Sequence, residues 1–356
     1  MTMSAIKRFS LLIALCALLL ASVRASASPP ESFANPIATG ADPWVVRHEG
    51  SYYWCRSEND TGVAICKSDS LTTLGTRHVV WRAPEHGPHS KEIWAPELHF
   101  LDDRWYVYVA ASDGRNAAHR MIVLESETSD PLSKYTFKNE LYTGDNIDTK
   151  TSNRWAIDGT VLEHKGKRYF IWSGWADERD IQWLYIAPMS NPWTISGNRV
   201  RLCANDDYIW ERVGESISER GLNEAPQILQ RNGRTFIIYS ASGAWKTTYK
   251  LGLLELAGDD PLAPGAWRKH PDPVFAPTEK TYGVGHASFV KSADGRENWI
   301  VYHTKLSRED GWHRGICAQP FTWTDDGLPD FGAPVPRGRP IPAPSNTPAA
   351  SLLTSN

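Results

Sequence analysis

The sequence predicts an all-β chain folded as a five-bladed β-propeller, and three observations carry that expectation. Five hairpin-like units recur, each an apolar strand, a short turn and an aromatic-rich strand. Their leading residues, Asp42, Trp94, Asp158, Glu224 and His286, stand roughly 50–65 residues apart, a period that suits strand-built blades with long loops. The chain also has 16 Trp, 13 Tyr, 10 Phe, 26 Gly and 24 Pro, the mixture of strand-formers and turn-formers that an all-β fold needs. After the N-terminal stretch no long segment shows helical apolar periodicity.

The unit at Asp158 is the clearest. Asp158-Gly159-Thr160-Val161-Leu162 reads as a strand, Gly166 marks a turn, and Tyr169-Phe170-Ile171-Trp172 returns. The other units turn at Glu49-Gly50, Asp102-Asp103, Asn232-Gly233 and Asp294-Gly295. In a propeller the first strand of each blade lines the central axis, so residues at one register of the repeat converge on one rim. Three of the five leading residues, Asp42, Asp158 and Glu224, are carboxylic acids.

In chain order, Lys7 and Arg8, the apolar run from Leu11 to Ala21 and Ala25-Ser26-Ala27 read as a signal peptide over residues 1–27. The run is too short to span a bilayer, so a secreted or periplasmic protein without a membrane partner is expected. The formal net charge of −3 becomes −6 without Lys7, Arg8 and Arg24, which leaves no electrostatic case for nucleic-acid binding. Cys16 lies in the leader. Cys55, Cys66, Cys203 and Cys317 can form disulfides, with Cys55 and Cys66 on neighbouring strands the favoured pair, or remain buried thiols. Residues 28–335 are expected to form the propeller, and the Pro-, Ser- and Ala-rich residues 336–356 a loose tail.

The candidate residues compete with plainer readings. Asp42 before Pro43 could mark only a turn, but its register with Asp158 and Glu224 favours chemistry. Trp94 can present an aromatic face to the C–H face of a sugar, or can belong to the core. Gly87 and Pro88 exclude a helix around His86 and His89, so these and His99 predict no zinc site. His286 follows Gly283-Val284-Gly285, which departs from G-x-G-x-x-G at Ser288. It is read as a structural histidine or one that holds an ion together with waters. No Walker, G-x-S-x-G or C-x-x-C motif is present, so no organic cofactor is expected.

Taken together, Ala41-Asp42-Pro43, Ile157-Asp158-Gly159-Thr160 and Asn223-Glu224-Ala225-Pro226 resemble the three acidic motifs of glycoside hydrolase family 43. Gly285-His286-Ala287-Ser288 resembles that family's axial histidine segment, and the resemblance runs from about Asn35 to Val335. Ala225 departs from it, since many members carry Gly there. The resemblance implies a five-bladed propeller and an inverting glycosidase acting on arabinose- and xylose-containing plant cell-wall glycans. Asp42 would be the general base, Glu224 the general acid and Asp158 the residue that orients the acid and tunes its pKa. Arg314 would match an arginine contacting the acid and, with Trp94, binding substrate. One calcium ion near His286 is the expected metal, with water supplying most of its shell. Trp94-Ala95-Pro96-Glu97-Leu98-His99 is similar to the exo-acting α-L-arabinofuranosidase branch. A monomer is expected. A β-xylosidase or endo-arabinanase of the same family, a retaining invertase-type enzyme, or a carbohydrate-binding propeller without activity are the alternatives.

Overall fold

Four of the five expected turns pair two residues in the left-handed region: Glu49 and Gly50, Asp102 and Asp103, Lys165 and Gly166, Asn232 and Gly233. This is the backbone that a two-residue type I′ hairpin demands, and it matches the twist of the strands on either side. Asp294-Gly295 instead sits in a longer connection between Lys291 and Asn298. The structure is a computed structural model that describes residues 31–177 and 179–345. Two units divide the chain, and the propeller is the second, from Phe33 onward. The predicted signal peptide lies outside the described residues, none of which forms a helix long and apolar enough to cross a membrane.

Each hairpin extends into an antiparallel sheet. The first blade comprises Trp44–His48, Ser51–Ser57, Gly62–Ser68 and Thr76–Arg82. The second comprises Lys91–Leu101, Arg104–Ser112, Arg120–Ser126 and Tyr135–Glu140. In the third, Ala156–His164, Lys167–Trp175 and Gln182–Asn191 are flanked by the short strands Thr194–Ile195 and Val200–Arg201. The fourth comprises Asn223–Arg231, Arg234–Ala241, Lys250–Leu256 and Trp267–Lys269. The fifth takes Tyr282–Lys291, Asn298–Lys305 and Arg314–Trp323 from the C-terminal part, and its outer strand, Ala38–Thr39, from the N-terminal part. The first strands of successive blades contact one another in a closed ring, the last returning to the first. The chain is therefore a five-bladed β-propeller, as its repeats predict.

Five apolar cores fill the five gaps between neighbouring blades. Alternating strand residues supply them, so each sheet is apolar on both faces. Trp54, Trp172 and Trp299 are fully buried in two of these cores. Trp54 and Trp299 share the core that joins the last blade to the first, and Trp172 lies between the second and third. Truncating such a side chain to Ala costs about 3–5 kcal/mol.

Two sequence expectations change here. Cys55 and Cys66 sit on neighbouring strands, but Cys55 pairs with Ile65, and Cys66 with Trp54. The two side chains therefore enter different cores on opposite faces of the sheet, and all four described cysteines are free thiols. The boundary of the tail also moves. Pro340–Pro342 is a short strand, Ile341 is buried against Val45 and Trp54, and the Ser345 N–H donates to Glu297 at 3.1 Å. Residues 346–356 lie outside the described residues.

One local feature positions the site. In four blades the first strand carries one extra residue near its start, between the pairs Trp94–Ala110 and Glu97–Tyr108, Ile157–Ser173 and Thr160–Ile171, Glu224–Ser240 and Gln227–Ile238, and Gly285–His303 and Ser288–Val301. The residues at these bulges, Ala95, Asp158, Ala225 and His286, all have φ near +50°, as does Asp42 at the same place in the first blade. A bulge bends the strand and re-aims the side chains beside it. The structural register is therefore Asp42, Ala95, Asp158, Ala225, His286, and Trp94 and Glu224 stand one residue ahead of it.

Candidate active site

The bulges lie at one end of the channel, where the chain enters each first strand. There three side-chain nitrogens surround the Asp42 carboxylate. Its Oδ1 lies 3.1 Å from Arg314 Nη1, 3.2 Å from His286 Nδ1 and 3.2 Å from His303 Nδ1. Burial works against its charge, but the Arg314 guanidinium and the two imidazoles hold the carboxyl far below the usual carboxylate range. His303 is fully buried, and burial first, then Arg314, pushes its pKa down to about 3. Its Nδ1 is also 3.2 Å from the Asp42 N–H. If the neutral ring accepts that N–H, its proton sits on Nε2, which has no protein partner.

Glu224 sits in the opposite environment. It is buried, and burial pushes its carboxyl up to about 7, with the charge of Asp42 acting in the same direction. Two donors oppose this: the Tyr249 hydroxyl at 2.9 Å on Oε1 and Gln182 Nε2 at 3.2 Å on Oε2. Gln182 is itself 3.2 Å from Ser173 Oγ, whose hydroxyl donates to the Asn223 carbonyl at 2.8 Å. The third blade thus grips the strand that carries Glu224.

Asp158, also in the third blade, bonds that strand as well. Its Oδ2 accepts the N–H of Ala225, the residue after Glu224, at 3.1 Å. Burial, followed by the negative charge of Glu224, raises the pKa of Asp158 well above its ordinary value. One proton is therefore readily retained between these two neighbouring carboxyls.

Two positions beyond each bulge, Trp44, Glu97, Thr160, Gln227 and Ser288 form the next layer of the channel. Gln227 Nε2 donates to the buried Glu97 across the channel, and Glu97 Oε2 lies 3.0 Å from His99 Nε2. These bonds lie beneath the carboxyls.

The remaining sequence candidates are placed as follows. Arg314 was expected to contact the acid, but it bonds Asp42 instead, because the third strand of the last blade runs beside the residues that lead into Asp42. Trp94 is half-buried, stacks on His119 with ring centroids 3.9 Å apart and packs against the core between the second and third blades. It is thus part core and part surface. Among the described residues, Asp42, His286 and His303 offer ligand atoms within 4.8 Å of one another. That set has two nitrogens and one oxygen, and the oxygen already bonds a guanidinium. Calcium prefers six to eight oxygens, so this set does not fit it.

Tyr249, Gln182 and His303 were not anticipated. They lie on second and third strands or at the end of a loop, outside the repeat register. Gly285 carries the one indirect signal. A Cβ there would lie 2.3 Å from Tyr249 Cε1, so glycine admits the ring that reaches Glu224.

The chain as a whole resembles known proteins. The model of the glycosyl hydrolases family 43 matches residues 33–329. Alpha-L-arabinofuranosidase 43 of Humicola insolens is 36% identical over 348 residues, 93% of this chain and 69% of that protein. An extracellular exo-alpha-(1->5)-L-arabinofuranosidase of Streptomyces chartreusis is 36% identical over 296 residues, 80% of this chain and 86% of that protein. The crystal structure of an alpha-L-arabinofuranosidase from Lactobacillus brevis superposes with a TM-score of 0.77 at 33% identity, covering 86% of this chain and 98% of that one.

Proposed function

The chain belongs to the glycosyl hydrolases family 43, and from that premise we propose that it is an exported α-L-arabinofuranosidase. It would release L-arabinofuranose from arabinan or arabinoxylan side chains with inversion of configuration. The names of its relatives support the sugar, and the word extracellular in one of them supports export. The observation that carries the mechanism is the opposed state of two carboxyls on different blades. Asp42 is held ionised, while Glu224 keeps its proton up to about pH 7.

In this reading Glu224 gives its proton to the glycosidic oxygen as the bond to the anomeric carbon breaks. Asp42 takes a proton from a water that attacks that carbon from the opposite face. Inverting pairs are roughly 6.5–9.5 Å apart to admit this water. Arg314 and the two histidines keep Asp42 charged and fix its direction. Asp158 acts without touching the sugar: its bond to the Ala225 N–H fixes the strand beside Glu224, and its charge disfavours ionisation of the acid. Trp94 would offer an aromatic face to the bound sugar. Calcium near His286 finds no support in the donor set, so no step passes through a metal.

The test compares linear arabinan with p-nitrophenyl α-L-arabinofuranoside. An activated aryl group departs with little proton assistance. Glu224→Gln should therefore keep a larger fraction of its rate on the aryl substrate than on arabinan, while Asp42→Asn should lose both. Losses should be on the order of 10²–10⁴-fold. Near wild-type turnover of arabinan by either variant would sink the assignment. NMR of the first-formed anomer reads inversion, and p-nitrophenyl β-D-xyloside and arabinan chain length separate a β-xylosidase or an endo-acting enzyme.

A further inference from the structure

Two loops meet between the fourth and fifth blades at the same end of the channel as the carboxyls. Residues 242–249 end at Tyr249, which bonds Glu224, and residues 306–313 end just before Arg314, which bonds Asp42. The loops are fastened together. Lys246 Nζ pairs with Asp310 Oδ2 at 2.7 Å, and the Gly311 N–H donates to the Trp245 carbonyl at 2.8 Å. The buried Lys305 ammonium donates to the carbonyls of Trp245, at 3.0 Å, and Gly311. Gly283 lets the backbones approach, because a Cβ there would lie 2.5 Å from the Lys246 carbonyl oxygen.

This latch holds two indoles at the rim. Trp245 folds over Gly243, and its ring centroid is 5.7 Å from that of Trp312. The Arg314 guanidinium carbon lies 5.3 Å from the Trp312 ring centroid. Even so, Trp312 is 65% exposed, the most exposed tryptophan among the described large hydrophobic side chains. Leaving an indole in water forgoes burial worth about 25 cal/mol per Å². An exposed aromatic surface on a fastened loop beside a reactive site is the kind of surface that binds.

The position narrows what it would bind. Glu224 and Tyr249 belong to the fourth blade, and so does Trp245. The group that departs with Glu224's proton lies on the acid's side of the cleaved bond. We propose that Trp312, backed by Trp245, is the platform for the leaving sugar, the arabinofuranose next along the chain from the one released. The inference rests on the arabinofuranosidase reading above. The sugar's C–H face would lie on the indole, while its hydroxyls stay in water.

The experiment measures kcat/KM for the wild type, Trp312→Ala, Trp312→Leu and Trp312→Phe. The substrates are α-1,5-L-arabinotriose and α-L-arabinofuranosyl fluoride, which has no leaving sugar. Trp312→Ala should lose about tenfold more on the trisaccharide than on the fluoride, mainly through KM. Trp312→Leu keeps apolar cover over Trp245 without a flat ring and should show the same gap, which separates the platform from loop stability. Trp312→Phe should recover most of the loss. Equal effects on both substrates would overturn the proposal, whether both rates fall, as they would if Trp312 served only to hold Arg314, or neither does. A wild type that hydrolyses the fluoride but not arabinotriose also overturns it. A wild type inactive on both overturns the arabinofuranosidase reading itself, before any variant is made.

Discussion

Tyr249→Phe tests the electrostatics of the site most directly. The Tyr249 hydroxyl donates to Glu224 Oε1 at 2.9 Å and is buried with it. A donor stabilises the carboxylate more than the carboxylic acid, so this bond holds down a pKa that burial has raised to about 7. A hydrogen bond to a charged group is worth about 1.5–3 kcal/mol, and a pKa unit is about 1.4 kcal/mol. Removing the hydroxyl should therefore move the Glu224 pKa up by about one unit or more. In its proposed role of general acid Glu224 must be protonated, so activity should fall as pH rises through its pKa. The alkaline limb of kcat/KM on arabinan should thus move upward in Tyr249→Phe, so that the variant retains a larger share of its own maximum at pH 8. The aryl arabinofuranoside, which needs less proton assistance, should show a weaker shift. An alkaline limb that stays in place or moves down would refute the argument.

The remaining expectations are these. Asp158→Asn keeps an acceptor for the Ala225 N–H but removes a negative charge beside Glu224, so the same limb should move to lower pH; an upward shift would count against the assigned coupling. Gly285→Ala would press a methyl group into the Tyr249 ring, which is stacked on His303 at 5.4 Å. It should lower Tm by an amount corresponding to about 1–3 kcal/mol and shift the limb upward, as Tyr249→Phe does; wild-type values of both would contradict the packing described. Exhaustive chelation should leave turnover and Tm unchanged, because the donors around Asp42 are committed to one another and to Arg314. Activity lost to a chelator and restored by calcium would reverse that conclusion.

The blades were legible because hairpins have local signatures. Apolar alternation and turns such as Asn232-Gly233 encode a strand pair within about 20 residues. The three acids were legible because each begins one of these units. What the sequence concealed is non-local. A bulge inserts a residue without changing composition, so aligning Trp94 and Glu224 with Asp42, Asp158 and His286 looked natural and was one residue out. The partners that tune the acids come from elsewhere. Gln182 is on a third strand, His303 on a second, and Tyr249 ends a polar loop, and none repeats at the blade period. Cys55 and Cys66 were adjacent in strand order but on opposite faces, a distinction that needs the pairing register.

The outer strand of the last blade has a consequence for the order in which the enzyme comes into being. Ala38–Thr39 pairs with Gly315 and Ile316, and the Gly40 N–H donates to the Arg314 carbonyl at 3.1 Å, two residues before Asp42. Asp42 and Arg314 are separated by 272 residues. Asp42 is thus among the first parts of the propeller to be synthesised, yet it acquires its guanidinium only when one of the last strands arrives. Contacts so distant in the chain form slowly. A nascent chain holding all three acids but lacking the strand at Arg314 would carry a carboxylate with no fixed direction, and ring closure would act as the switch that turns synthesis into activity.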